Sequence, residues 1–267
     1  MHILWFCYIL LIVSFCSVCG TIISDTDTIH TDNQKNISNS NNTINNNLND
    51  NNMDVIHPLY SMAEKTWYSV DATHITDPGI HPNPSISPGS PLTLDEWGAM
   101  LGSNGLDSVF SAWNGGTYDS IRNRLIIGMG GYVDYHGNAL YPFNLDLMEW
   151  QHENWPSSGI YNSDGINDDL TPESRCTYSA MAFYKAENKV YVGGAFSGDL
   201  GGPAYLWEYN CASKKWSRID DDVHDGSMHL VVDEARGLLW SKTLYAFYSR
   251  DLTDANSFWV MRINESL

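Results

Sequence analysis

Cys176 and Cys211 each stand two residues from a tyrosine, Tyr178 and Tyr209 respectively. Copper-radical oxidation uses tyrosine and histidine ligands with a cysteine fused to a tyrosine, so this proximity is the first arrangement to weigh. The spacing matches no copper motif, and a thiol in a packed strand behaves as a small apolar side chain. His136 falls in the turn Asp134-Tyr135-His136-Gly137-Asn138, where an imidazole could act as a ligand or base, or simply face solvent. His224 and His229 flank Asp225 and are five residues apart, which places them on different helix faces and disfavours a zinc pair. Two acidic loops, 164–169 and 220–222 with Asp225, have the carboxylate density of hard-cation sites. Neither follows the Asp-x-Asp/Asn-x-Asp/Asn-Gly pattern, and both read as solvated turns. Paired carboxylates hydrolyse glycosides only at a defined separation, which spacing along the chain does not supply. No Gly-x-Ser-x-Gly elbow, His-Glu-x-x-His helix or phosphate loop occurs. No residue is therefore assigned a catalytic, cofactor-binding or metal-binding role, and no cofactor is expected.

The elements that would position any such group are clearer, because one pattern occurs twice. Its first copy reads Arg124-Leu125-Ile126-Ile127, Gly130-Gly131, Leu140-Tyr141-Pro142-Phe143, then Trp150. Its second reads Lys189-Val190-Tyr191-Val192, Gly193-Gly194, Leu206-Trp207-Glu208-Tyr209, then Trp216. A third copy lacks the glycine pair: Met228 to Asp233, Gly237 to Trp240, Leu244 to Phe247, then Trp259 within Ser257 to Met261. Apolar strand, glycine pair, aromatic strand and closing tryptophan describe a four-stranded blade. The expected inner strand of the first blade is Ala112 to Asp119, and the second blade is expected to begin at Ser174-Arg175-Cys176-Thr177-Tyr178. Gly130, Gly131, Gly193 and Gly194 would permit close backbone approach and unusual dihedrals. Trp150, Trp216 and Trp259 would fill the gaps between twisted blades, each burying ~200 Å². Cys176 and Cys211 fall at opposite ends of parallel strands, ~20 Å apart, beyond the ~7 Å reach of a disulfide.

Composition bounds the rest. The 267 residues are 43% hydrophobic and 12% aromatic, enough for one sizeable core, and 21 Gly with 10 Pro suit a turn-rich all-β chain. A formal net charge of −18 with only 14 scattered Lys and Arg excludes nucleic acid as a partner. The apolar run 3–19, with small Val18 and Gly20 at its end, reads as a secretory signal peptide over residues 1–20; an uncleaved membrane anchor is the rival. Residues 21–57 form an Asn-rich segment expected to be disordered. It carries sequons at Asn36 and Asn41, and a third lies at Asn264, so secretion would make these the glycosylation sites. Residues 58–264 form the expected propeller, with blades at about 111–153, 174–220 and 227–263. Ahead of them lie an outer-type strand, Thr66-Trp67-Tyr68-Ser69-Val70, a Pro-rich irregular loop over 77–91, and a capping box, Thr93 with Glu96, that opens a short helix stopped by Gly102.

The pieces Thr66-Trp67-Tyr68, Ala112-Trp113-Asn114-Gly115-Gly116, Asp119-x-x-Arg122-Asn123-Arg124-Leu125-Ile126-Ile127 and Asp134-Tyr135-x-Gly137-Asn138-x-Leu140-Tyr141 together resemble the kelch and galactose-oxidase-like β-propellers over roughly residues 65 to 263. Relatives often place His after the glycine run and Glu after Gly-Asn; here Tyr132 and Ala139 stand there. The resemblance implies an all-β, partial propeller of about three kelch-like blades plus the N-terminal outer strand, with loops that bind a ligand. The expected function is a secreted binding module for a glycan or protein. A copper-radical oxidase or glycosidase-like enzyme, and a truncated propeller without activity of its own, are the alternatives. An open fan of three blades would leave two faces of roughly 400 Å² in water. If half of that is apolar, ~10 kcal/mol of burial is lost, so self-association through open blade faces, closure by further blades or marginal stability is expected.

Overall fold

Short turns with one repeated chemistry set the sheets. Asp119, Asn144, Asn210 and Asp233 each end a strand, and each carboxylate or amide oxygen accepts backbone N–H groups two or three residues on. Four residues after each of them the chain takes a left-handed conformation, at Asn123 (φ 49°), Met148 (φ 55°), Lys214 (φ 56°) and Gly237 (φ 63°). The side-chain cap replaces backbone hydrogen bonds that such a turn cannot make, and the left-handed residue aims the chain back along its own strand.

The structure is a computed structural model that describes residues 74–157, 166–194, 205–219, 229–243 and 246–264. The expected signal peptide, the Asn-rich segment with Asn36 and Asn41, the expected outer-type strand at 66–70, and the loop 220–225 with His224 lie outside them. So does the side chain of Asn264. All described residues belong to the compact unit His57–Leu267.

The unit is mostly β, with three four-stranded antiparallel sheets in sequence order. The first holds β1 (Gly116–Asp119), β2 (Arg124–Gly128), β3 (Leu140–Asn144) and β4 (Glu149–Trp150). The second holds β5 (Met181–Tyr184), β6 (Lys189–Val192), β7 (Trp207–Asn210) and β8 (Lys215–Arg218). The third holds β9 (His229–Asp233), β10 (Leu238–Lys242), β11 (Ala246–Asp251) and β12 (Val260–Asn264). Inner strand β5 lies against both β1 and β9, and isolated parallel bridges join Gly130 to Arg175 and Ser179 to His229. Consecutive meanders with adjacent inner strands are the blades of a partial β-propeller. The tight turns above all emerge at one end of the blades. The β2–β3 and β6–β7 connections, and the crossovers from one blade's outer strand to the next inner strand, emerge at the other end, here called the crossover end.

The inner strands are shorter than the sequence pattern suggests. β1 begins at Gly116 and not at Ala112, and β5 begins at Met181 and not at Ser174. The residues ahead of each, 112–115 and 174–180, are held by contacts between blades and not by ladders within one. Trp259 stands immediately ahead of β12, whereas Trp150 and Trp216 lie within β4 and β8.

Three apolar clusters follow the blade junctions. Ile126, Met129 and Leu140 of the first blade meet Met181, Phe183, Val190, Val192 and Tyr209 of the second, with Trp216 packed against them. Ala182, Tyr184 and Tyr191 meet Leu230, Leu239 and Leu252 of the third blade, with Trp259 alongside. The remaining cluster corrects the expectation of two open blade faces. Ile75, Leu92, Trp97, Met100, Leu106 and Val109 pack against Tyr135, Ala139, Tyr141, Ile127 and Trp150, so residues ahead of the blades cover the first blade's outward face. The cap is built on helix α1 (Leu94–Met100), whose N-cap Thr93 and Glu96 form a reciprocal capping box, and on α2 (Ser108–Ser111). Gly102 (φ 58°) follows α1 and lies against the carbonyls of Val133 and Asp134, where a Cβ would come within 2.4 Å. The Pro-rich stretch is irregular, as its composition predicts, yet it also delivers the apolar side chain of Ile80 to that core, with Leu92 immediately after it.

Candidate functional site

At the crossover end, three segments leading toward the inner strands run side by side. The Arg175 N–H donates to the Met129 carbonyl at 2.8 Å, the Tyr178 N–H to the Trp113 carbonyl at 2.9 Å, and the Leu230 N–H to the Ser179 carbonyl at 3.0 Å. The Gly115 N–H donates to the buried Thr177 hydroxyl at 2.7 Å. A Cβ on Gly115 would stand 1.9 Å from the Tyr178 carbonyl oxygen, so only glycine allows the two chains to approach this closely.

This approach holds Trp113 and Tyr178 in left-handed backbone, at φ 52° and φ 47°. Each lies three residues ahead of its inner strand. For a bulky side chain that conformation costs roughly 1–2 kcal/mol, and the surroundings must impose it. Both rings nevertheless point outward. Trp113 is 57% exposed and Tyr178 36%, with ring centroids 5.9 Å apart and planes inclined by 58°. Burial, with a smaller contribution from Cys176, pushes the Tyr178 phenol up, so it is a neutral hydroxyl at physiological pH.

Further aromatic surfaces share that end. Trp155 stacks on His152 with centroids 4.0 Å apart, and the Arg218 guanidinium lies 4.4 Å from the centre of the Tyr205 ring. Burial lowers the His152 pKa. The segment that leads to Tyr178 also carries a buried ionisable pair, Glu173 and Arg175. Arg175 is fully buried and donates to the Tyr205 carbonyl at 3.1 Å and the Glu173 carbonyl at 3.4 Å. One carboxylate oxygen of Glu173 has no hydrogen-bond partner. Burial pushes the Glu173 carboxyl up to about 7 despite the Arg175 charge, and burial lowers Arg175 to about 10.

The residues singled out by sequence occupy other places. Gly130 (φ 71°), Gly131 (φ 76°) and Gly194 (φ 97°) sit where the chain leaves β2 and β6, against the backbones of Tyr135, Ala112 and Cys176. Gly193 donates its N–H to the Ala180 carbonyl at 2.8 Å without a positive φ. Trp150 packs edge-on against Phe110 at 5.2 Å and tilted against Phe143 at 5.0 Å, beneath the N-terminal cap, and Trp216 lies 4.9 Å from the Tyr209 ring. Cys176 and Cys211 are buried thiols outside any disulfide; Tyr209 is committed to the core, and burial pushes Cys211 up to about 11. His136 is half-buried and its N–H donates to the Met100 carbonyl at 2.9 Å. In the described part of the acidic loop, Asn167 donates to Thr171 and Pro172, and Asp169 accepts from Thr171 and Ser157, so these groups fold the loop onto itself. Among the described residues no three His, Cys, Asp or Glu side chains come together as a metal site requires.

No protein-family model matches the chain, and no curated protein matches it. Among solved structures it is similar to TolB from Acinetobacter baumannii, with a TM-score of 0.35 and 9% identity over 54% of this chain. The match spans 30% of the TolB chain.

The Trp113 and Tyr178 rings are the residues that sequence reading missed as a site. A strand reading placed Trp113 inside the first inner strand and Tyr178 at the start of the second. The usable signal was positional: an aromatic residue recurs three residues ahead of two inner strands, and the first is followed by Gly115-Gly116.

Proposed function

We propose that the chain is a secreted, kelch-like glycan-binding module whose crossover end receives the sugar. The observation that carries this reading is the exposed Trp113 and Tyr178 pair, set on strained backbone that a purely structural aromatic would not need. Sugar rings present C–H faces that stack on aromatic faces while their hydroxyls bond at the rim, and the Tyr178 hydroxyl is suited to that rim. Stacking that removes ~80 Å² per ring is worth about 2 kcal/mol, so two rings support binding near the millimolar level for a single sugar and tighter binding for a longer chain. The formal net charge of −18 favours neutral or amino-bearing glycans over anionic ones. The secretory reading of residues 1–20 and the sequons agree with an extracellular setting.

A glycan array probed with the full chain, followed by calorimetry on the best ligand, tests the proposal. Trp113→Ala or Tyr178→Ala should weaken binding at least ten-fold with the melting transition retained. An array with no signal from the folded protein, or equal binding by both variants, would overturn it; capture of a protein in place of a glycan would redirect it.

A further inference from the structure

Glu173 and Arg175 stand two residues apart, both buried, on the segment that leads into β5. Opposite charges so placed ordinarily pair, because an unpaired charge out of water is costly. Here they do not. The Arg175 guanidinium gives its Nη1–H to the Tyr205 carbonyl at 3.1 Å and its Nε–H to the Glu173 main-chain carbonyl at 3.4 Å. The Glu173 carboxyl receives neither bond, and its buried Oε2 has no hydrogen-bond partner among the described residues. This arrangement suits an uncharged acid beside a cation held by carbonyls. An ionised Glu173 would instead be a buried carboxylate without a donor, with a guanidinium two residues away.

The backbone around the pair is pinned, so a change of charge must be answered by side chains. The Asn138 and Asn167 amides both donate to the Pro172 carbonyl, at 2.7 Å and 3.0 Å, and the Arg175 N–H donates to the Met129 carbonyl at 2.8 Å. The titratable groups around Glu173 come from four directions. Arg175 and Cys176 share its segment, Asp169 lies on the loop before it, His136 is on the turn against Gly130, and Tyr205 with Arg218 stands across from Arg175. Asp169 is occupied by Thr171 and Ser157, and Arg218 lies over the Tyr205 ring, so the charge that acts on Glu173 is that of Arg175. We propose that Arg175 is a two-position switch: its guanidinium holds the Tyr205 carbonyl while Glu173 is protonated, and turns to the Glu173 carboxylate once that group ionises, releasing Tyr205.

Burial holds Glu173 at about 7 while Arg175 faces Tyr205, and pairing in the ionised state pulls the midpoint down, so the exchange falls between 4.5 and about 7. Tyr205 lies at the crossover end, so the switch would change the surface offered to a glycan with pH. That consequence rests on the proposed glycan site; the exchange does not, and an empty glycan array would leave it standing.

Nuclear magnetic resonance on the full chain, without ligand, tests the exchange. The Leu206 amide shares a peptide unit with the Tyr205 carbonyl, so its nitrogen shift reports the bond to Arg175. It should move in one step across that pH window, and the Arg175 Nε–H resonance should move with the same midpoint. Glu173→Gln, which copies the neutral acid, should hold both at their low-pH positions, while Asp169→Asn and His136→Gln should keep the step. A Leu206 shift that is flat in the folded parent, or a step that survives Glu173→Gln, would overturn the proposal. So would a Leu206 step without one at Arg175, a comparison that needs no variant to fold.

Discussion

The Tyr178 N–H donates to the Trp113 carbonyl across 2.9 Å, and both residues hold left-handed backbone. At an ordinary site alanine is more stabilising than glycine, because glycine loses more freedom on folding. At φ 52° that order should reverse, since the Cβ of alanine keeps the strain that glycine removes. Trp113→Gly should therefore be more stable than Trp113→Ala by about 1 kcal/mol in urea unfolding, while both lose the ring that the proposed ligand needs. The usual order, alanine above glycine, would show that the backbone is unstrained and remove the main support for the site.

Asp119 and Asp233 open equivalent turns, and each pairs with an arginine three residues on, Arg122 at 2.8 Å and Arg236 at 2.6 Å. Their surroundings separate them. Asp119 is fully buried and also receives the Arg124 Nε at 2.8 Å; Arg124 in turn reaches Glu153 at 2.7 Å, and Arg122 bridges to Asn188 of the second blade at 2.8 Å. Burial alone would push the Asp119 carboxyl up, but the hydrogen bonds and charges of Arg124 and Arg122 outweigh it and leave the pKa below the usual carboxylate value. Asp119→Asn should cost about 3 kcal/mol or more, because it removes the carboxylate shared by Arg122 and Arg124 and leaves buried Arg124 with Glu153 alone as its counter-charge. Asp233→Asn, whose arginine is exposed, should change urea unfolding within error. Since the native Asp119 pKa is depressed, its contribution is present above the unfolded pKa and is lost as pH falls through the native one. Acid unfolding below about pH 4 should accordingly be shallower in Asp119→Asn.

Glu173 shows the opposite linkage. Its pKa is raised to about 7, so between the ordinary carboxyl value and pH 7 the native state holds a proton that the unfolded chain has released. Stability should decline as pH rises through that window and level off above it. Glu173→Gln copies the neutral acid, so it should stay close to the parent near pH 5 and melt about 5–10 °C higher at pH 8. A difference independent of pH would mean that Glu173 is ionised throughout.

The repeat was legible because it is made of local chemistry: turn residues at fixed offsets, alternating apolar strands and a tryptophan within or immediately ahead of each outer strand. Thr93 with Glu96 was legible for the same reason, since a capping box closes within four residues. What escaped were contacts between distant parts of the chain. Nothing in or around the Pro-rich stretch announces that Ile75, Ile80 and Leu92 join one cluster with Tyr141 and Trp150, because scattered apolar residues in an irregular loop carry no period. The left-handed Trp113 is likewise invisible, because its conformation is imposed by Tyr178, 65 positions later in the chain. Strand propensity placed it in the ladder, and the tertiary contact took it out.

The glycines give the sharpest separation between local and tertiary demands. Gly98 lies inside α1 with nothing within 4 Å of where its Cβ would be, so Gly98→Ala should add about 0.5–1 kcal/mol through helix propensity alone. Gly194 has φ 97°, and a Cβ there would stand 2.4 Å from the Cys176 carbonyl oxygen, with the Thr177 Cα at 3.0 Å. Those are backbone atoms, which cannot rotate aside as a side-chain tip can. Gly194→Ala must therefore strain its own backbone and push the segment ahead of β5 away from β6, at a cost of roughly 2 kcal/mol or more. Because that segment also carries Tyr178, the displacement should reach the proposed ligand surface. Gly194→Ala should lower both the melting temperature and glycan affinity, whereas Gly98→Ala should raise the first and leave the second unchanged. Differential scanning calorimetry paired with the glycan titration checks both, and an affinity unaffected in Gly194→Ala would show that the aromatic pair is positioned independently of the blade glycines.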